Sequence, residues 1–197
     1  MSRYQLLASF LLLTANNRYE PDPRVGHQTI RVGSNVYMWA GYVDGMPRVH
    51  DSQEKRRFIS CVEVFHSERG DWTRQPTSGA PPLGVFGYGC TAVGDVLHFF
   101  GGDCNHDDCF HNSIHSLSTS SLHWVELSPT TSEGGAPMRK SSCGTVAFKD
   151  GEEDILYIVA GFGPTPSYHQ PGAQYEDVGS DRVRCNEQHM FSLNTSE

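Results

Sequence analysis

Val96-Leu97-His98-Phe99-Phe100-Gly101-Gly102 is an apolar stretch that closes on a glycine pair. Similar stretches flank it: Val36-Tyr37-Met38-Trp39-Ala40-Gly41 before, and Leu156-Tyr157-Ile158-Val159-Ala160-Gly161 after. The closing glycines fall at 41, 102 and 161, spacings of 61 and 59 residues. An apolar strand recurring at near-constant spacing marks a repeated structural unit, and such a repeat decides the architecture.

The flanks of each stretch repeat as well. A strand precedes it across a short turn: residues 26–32 before Gly33-Ser34, residues 89–93 before Gly94-Asp95, and residues 144–148 before Asp150-Gly151. Two-residue turns of this chemistry close β-hairpins. A polar loop follows each closing glycine, over 42–57, 103–112 and 162–187. Third strands are expected at 58–65, 113–117 and 188–193, and fourth strands around Trp72 and Trp124. Ser78-Gly79-Ala80-Pro81-Pro82 and Gly134-Gly135-Ala136-Pro137 break the pattern between passes. Each Trp follows an apolar strand-end residue by seven, Phe65 to Trp72 and Leu117 to Trp124. The same offset from Leu193 points to position 200, past the last of the 197 residues. The chain therefore holds two whole repeats and most of a third. It is expected to be part of a longer protein or half of a dimer-closed ring.

Composition agrees with an all-β reading. Gly 20 and Pro 11 suit many turns, and no long amphipathic helical period occurs. A net charge of -8 argues against nucleic-acid binding, which usually shows a basic face. The six cysteines are irregularly spaced in a long chain, unlike a small disulfide scaffold. Most of them read as reduced, buried thiols of an intracellular protein, cytoplasmic or nuclear. Residues 6–13 after Arg3 have the outline of a short signal peptide but lack a clear small-x-small cleavage site. The run is too short to span a membrane; the alternative is a strand completing a neighbouring sheet.

Four strands per repeat, a glycine pair closing the second (with Ala40 and Ala160 in place of the first glycine in two passes) and a Trp at fixed distance after the third resemble the kelch motif over residues 24–193. The resemblance implies a kelch-type β-propeller, partial, with about three four-stranded blades. Its divisions are 1–23 (apolar strand or leader plus linker), 24–82, 83–137 and 138–197. Arg24-Val25-Gly26-His27, Met38-Trp39-Ala40-Gly41-Tyr42 and the long insertion after Gly161 are similar to the kelch domain-containing protein 2 group. Those propellers are substrate receptors of cullin-RING ubiquitin ligases and grip the C-terminal tails of their targets. The resemblance thus implies a non-enzymatic scaffold with a peptide-tail pocket on one face. Its walls would be Arg24, His27, Tyr42, Phe86, Tyr88, Arg139, Lys140 and Phe162, with Arg139 and Lys140 suited to a carboxylate.

One segment offers other chemistry. Cys104-Asn105-His106-Asp107-Asp108-Cys109-Phe110-His111 packs two thiols and two imidazoles into eight residues. Cys104, His106, Cys109 and His111 could supply a tetrahedral Zn²⁺ site, though the spacing matches no established metal pattern. The expectation is therefore no cofactor, with a metal-binding or enzymatic propeller as the alternative. Glu152, Glu153 and Asp154 read as a solvated turn, and His98 and His115 as satisfied core groups. No P-loop, G-x-S-x-G or H-E-x-x-H motif occurs.

Overall fold

The computed structural model describes residues 18–131 and 135–194. The apolar run at 6–13 lies outside them. The chain opens with β1 (Arg24–Val25), β2 (Gln28–Val32) and β3 (Asn35–Trp39), and β4 (Tyr42–Val43) folds back to pair with β1. A short helix, α1 (Gln53–Ile59), precedes β5 (Cys61–His66), β6 (Asp71–Pro76) and β7 (Ser78–Gly79). The next unit holds β8 (Gly89–Val93), β9 (Val96–Phe100), β10 (Ile114–Ser118) and β11 (His123–Ser128). The last holds β12 (Gly144–Asp150), β13 (Glu153–Pro164), β14 (Tyr175–Gly179) and β15 (Arg182–Ser192).

These strands build three blades. Blade 1 has the order β2-β3-β5-β6, blade 2 β8-β9-β10-β11 with β7 added outside β11, and blade 3 β12-β13-β15-β14. Among the described residues only the β7–β11 pairing is parallel. The innermost strands β2, β8 and β12 lie side by side, so the blades are arranged as in a propeller, without closing a ring among the described residues. The seven-residue offset has a simple cause. Phe65 pairs directly across the sheet with Trp72, and Leu117 with Trp124. A hairpin of fixed length therefore sets the spacing.

The strand ends show why small residues recur there. Ala40 (φ 45°), Gly101 (φ 67°) and Ala160 (φ 59°) all adopt left-handed backbone. At Gly101 a Cβ would lie 2.5 Å from the Lys140 carbonyl oxygen, so blade 2 needs glycine where blades 1 and 3 admit alanine. The next amide joins neighbouring blades: Gly41 N–H donates to Val85 O (2.8 Å), and Gly102 N–H to Lys140 O (2.9 Å).

The largest core lies between blades 1 and 2. Trp39 meets Trp124 at 5.0 Å, Tyr88 at 5.2 Å and Phe99 at 5.4 Å between ring centres. Both indoles donate, Trp39 to Ile59 O (2.9 Å) and Trp124 to Thr77 Oγ1 (3.1 Å). Each such side chain contributes roughly 1.5–3 kcal/mol by burial. Between blades 2 and 3 the core is smaller: Phe100, Ile114, Cys143, Leu156 and Ile158.

Three sequence expectations are corrected. The polar loop at 42–57 contains β4 and most of α1, and the third strand begins at Cys61 rather than Phe58. Ser52 caps the helix by accepting from Lys55 N–H, and Phe58 and Ile59 form its last turn, where they cover Trp39. The loop expected at 162–187 is largely sheet. At Ala160 β13 bulges instead of ending, and then runs on to Pro164 opposite β15. Inward-facing Val183, Cys185 and Glu187 alternate with outward residues along β15, a period-two signal. His98 and His115 are buried in the core as expected, but the Nδ1 atom of each has no hydrogen-bond partner. Burial lowers both pKa values, that of His115 to about 4.

Candidate functional site

On one face, the loop before the inner strand of each blade meets the loop after its second strand. Val25 pairs with Tyr42, Phe86 with Asp103, and Ser141 with Phe162. The later partners, at 42, 103 and 162, repeat the spacing of the closing glycines. Each glycine thus delivers one residue to the same face.

Two clefts open on this face. The first has a volume of about 380 Å³ and is walled by Tyr42 and Phe86, with Arg48, His106, Asp108 and Arg182 at its rim. Arg182 reaches over the Phe110 and Phe162 rings, at 5.6 and 5.8 Å from their centres, and its Nε donates to Asp108 Oδ1 (2.8 Å). The second cleft, of about 560 Å³, is bounded by His50, Arg56, Cys109, His111, His115 and Arg139.

The expected wall residues therefore divide. Tyr42 and Phe86 line the first cleft, Arg139 lines the second, and Phe162 lies beneath Arg182. His27 is half-buried with its Cβ against Gly41, and burial together with Arg24 holds its pKa below 6.5. Arg24 is turned inward, paired with buried Glu63 (3.2 Å) and donating to Ala40 O. Tyr88 belongs to the aromatic core and donates to Trp39 O. Lys140 is fully buried, and its Nζ lies 2.9 Å from Glu187 Oε2. Burial pushes the Glu187 carboxyl up, but the His189 imidazole 3.4 Å away and hydrogen bonds from Lys140 and Tyr175 outweigh it and hold the pKa at about 2. Sequence reading missed Arg48 and Arg182. Arg182 has a readable signal only through the β15 alternation.

Between the clefts lies the Cys/His loop, joined by a residue from another blade. His50 Nδ1 is 3.1 Å from Cys109 Sγ and 3.5 Å from Cys104 Sγ. The two sulfurs are 2.7 Å apart and unbridged. His111 Nε2 lies 3.5 and 3.6 Å from them, while its Nδ1 bonds Thr130 Oγ1 (3.0 Å). Ligand atoms of His50, Cys104, His106 and Cys109 all lie within 4.8 Å of one another. Lys55, fully buried, ties the backbone beneath them: its Nζ donates to the carbonyls of Val49, His50, Leu83 and Cys104. Burial, with the neighbouring Cys109 thiol, pushes the Cys104 thiol up to about 12, and burial lowers His111 to about 4.

The repeats and their glycine-ended second strands match a known domain. The profile of the KLHDC2/KLHL20/DRC7 Kelch-repeats domain matches residues 12–197. The chain belongs to the kelch-repeat family. It is 28% identical over 105 residues to Kelch domain-containing protein 3 of Homo sapiens, covering 53% of this chain and 25% of that protein. It is 26% identical over 151 residues to Kelch domain-containing protein 2 of Bos taurus, covering 74% and 34%. It is 31% identical over 91 residues to the Rab9 effector protein with kelch motifs of Danio rerio, covering 46% and 23%. The chain thus spans about a quarter to a third of the length of these relatives. Kelch repeats are scaffolds for contacts with other proteins, and this chain supplies three such blades.

Proposed function

We propose that the loop face binds the C-terminal peptide tails of partner proteins, as a non-enzymatic, intracellular substrate receptor for a cullin-RING ubiquitin ligase. The observation that carries the reading is the first cleft. Its Tyr42 and Phe86 walls offer apolar area to side chains, and Arg48 and Arg182 stand at its rim. A guanidinium binds a carboxylate through two parallel N–H donors, which suits a chain end. A tail carboxylate would take the place of Asp108 on Arg182, whose guanidinium is already oriented by Phe110 and Phe162. Six unpaired cysteines are in keeping with a reducing compartment.

Fluorescence anisotropy with a panel of peptides, each made as free acid and as amide, tests the tail reading. The free acids should bind at least about tenfold more tightly, corresponding to roughly 1.4 kcal/mol. Arg48→Ala/Arg182→Ala should remove the difference. Equal affinity for acids and amides sinks tail recognition and leaves the scaffold. Co-purification of cullin and RING subunits from cells expressing the chain tests the ligase role separately, and their absence overturns it.

A further inference from the structure

The geometry points to a structural zinc site that clips the loop of blade 1 to the loop of blade 2, with Cys104, Cys109, His50 and His106 as ligands. Two thiolates and two imidazoles are a donor set that Zn²⁺ accepts in structural sites. With Zn–S near 2.3 Å and Zn–N near 2.1 Å, tetrahedral ligand atoms stand about 3.5–3.8 Å apart. The His50 Nδ1 separations from the two sulfurs, 3.1 and 3.5 Å, lie close to that spacing. The 2.7 Å between the sulfurs is shorter, and they would spread as the ion enters.

Three observations besides proximity favour an ion. His106 Nε2 is buried without a hydrogen-bond partner, and such groups are costly unless something satisfies them. Lys55 fixes the carbonyls of both His50 and Cys104, so a ligand from each loop rests on one shared anchor. His111, its ring stacked on His50 at 5.6 Å and held by Thr130, backs the cluster from the side of the second cleft. Binding would release a proton from each thiol and leave a neutral Cys₂His₂ centre. The site adjoins the first cleft through His106, and its metal content is read without any peptide.

The test uses the full chain, purified under reducing conditions and dialysed against a weak chelator, with metal content read by mass spectrometry. About one equivalent of zinc per chain is expected. Cys104→Ser/Cys109→Ser should lose essentially all of it, and His50→Ala or His106→Ala most of it. Cys61→Ser should keep it. If the double variant fails to fold, Co²⁺ exchange into the unaltered protein should show the intense visible absorption of a tetrahedral thiolate site. Zinc-free reduced protein without that absorption overturns the proposal. So does metal that survives the double variant, or a native mass showing Cys104 and Cys109 joined as a disulfide.

Discussion

The two seams between blades bury positive charge in opposite ways. At the seam of blades 1 and 2, Lys55 donates to four backbone carbonyls, with no carboxylate hydrogen-bonded to it among the described residues, over a broad aromatic core built on Trp39, Tyr88, Phe99 and Trp124. At the seam of blades 2 and 3 the apolar core is smaller, and Lys140 is matched by the carboxylate of Glu187. A carbonyl left without its cation is a neutral group with a modest desolvation cost, whereas a carboxylate left alone is a buried charge. The first seam should therefore depend most on apolar volume, and the second on an intact ion pair.

The largest expected effect is at the first seam. Trp39→Ala should cost about 5 kcal/mol in chemical denaturation, because it leaves a cavity and removes the partner of Ile59 O. A loss below about 2 kcal/mol would mean that the aromatic cluster does not carry this seam. At the second seam, Lys140→Met should cost about 3–4 kcal/mol by stranding Glu187. Lys140→Met/Glu187→Leu should recover most of that. A double variant no more stable than the single one would show that the pair is not the element at risk. Lys55→Met should cost a comparable amount, about 3 kcal/mol or more, since four carbonyls lose their donor at roughly 1 kcal/mol or more each.

Acid should separate the seams by pH. His115, facing the second cleft, is held by burial and nearby Arg56 at a pKa of about 4, below the ordinary 6.5. The unfolded chain then binds more protons in that range, so this stabilisation is complete above pH 6.5 and is lost as pH falls through about 4. Glu187, held at about 2 against an ordinary 4.5, contributes stability present above pH 4.5 and lost as pH falls through about 2. Thermal unfolding of His115→Gln should shrink the upper window to the part that His111 and His98 contribute, and Glu187→Gln should shrink the lower one. Windows that do not move would place the acid sensitivity elsewhere. The smallest stability change should come from Arg182→Ala, roughly 0.5 kcal/mol, since its Asp108 partner is exposed and its ring contacts are long. Its effect should appear in tail affinity instead.

Much of the blade pattern was legible because its signals are local. Hairpin length ties Phe65 to Trp72 and Leu117 to Trp124, and close backbone contact restricts the closing positions to Gly or Ala. The helix at 53–59 and the extended β13–β15 hairpin were less visible. In the first, a Ser52 cap overrides a β-branched, aromatic stretch. In the second, Ala160 resembles a strand end but acts as a bulge. The site was readable only in part. Tyr42, Phe86 and Phe162 follow from blade register, and Cys104, His106, Cys109 and His111 from their density in one loop.

What the sequence determined by itself was the repeat, its register and the face to which each loop is delivered. These depend on contacts between residues a few positions apart. The tertiary structure decided which charges are internal and which loops meet. Lys140 was expected to hold a tail carboxylate, but β15 brings Glu187 beside it, 47 residues later, and the pair is buried. His50 belongs to no local motif, and it reaches Cys104 only because blades 1 and 2 pack and Lys55 holds both backbones. Burial and pairing of this kind depend on which blades become neighbours, and no short window of the chain contains that information.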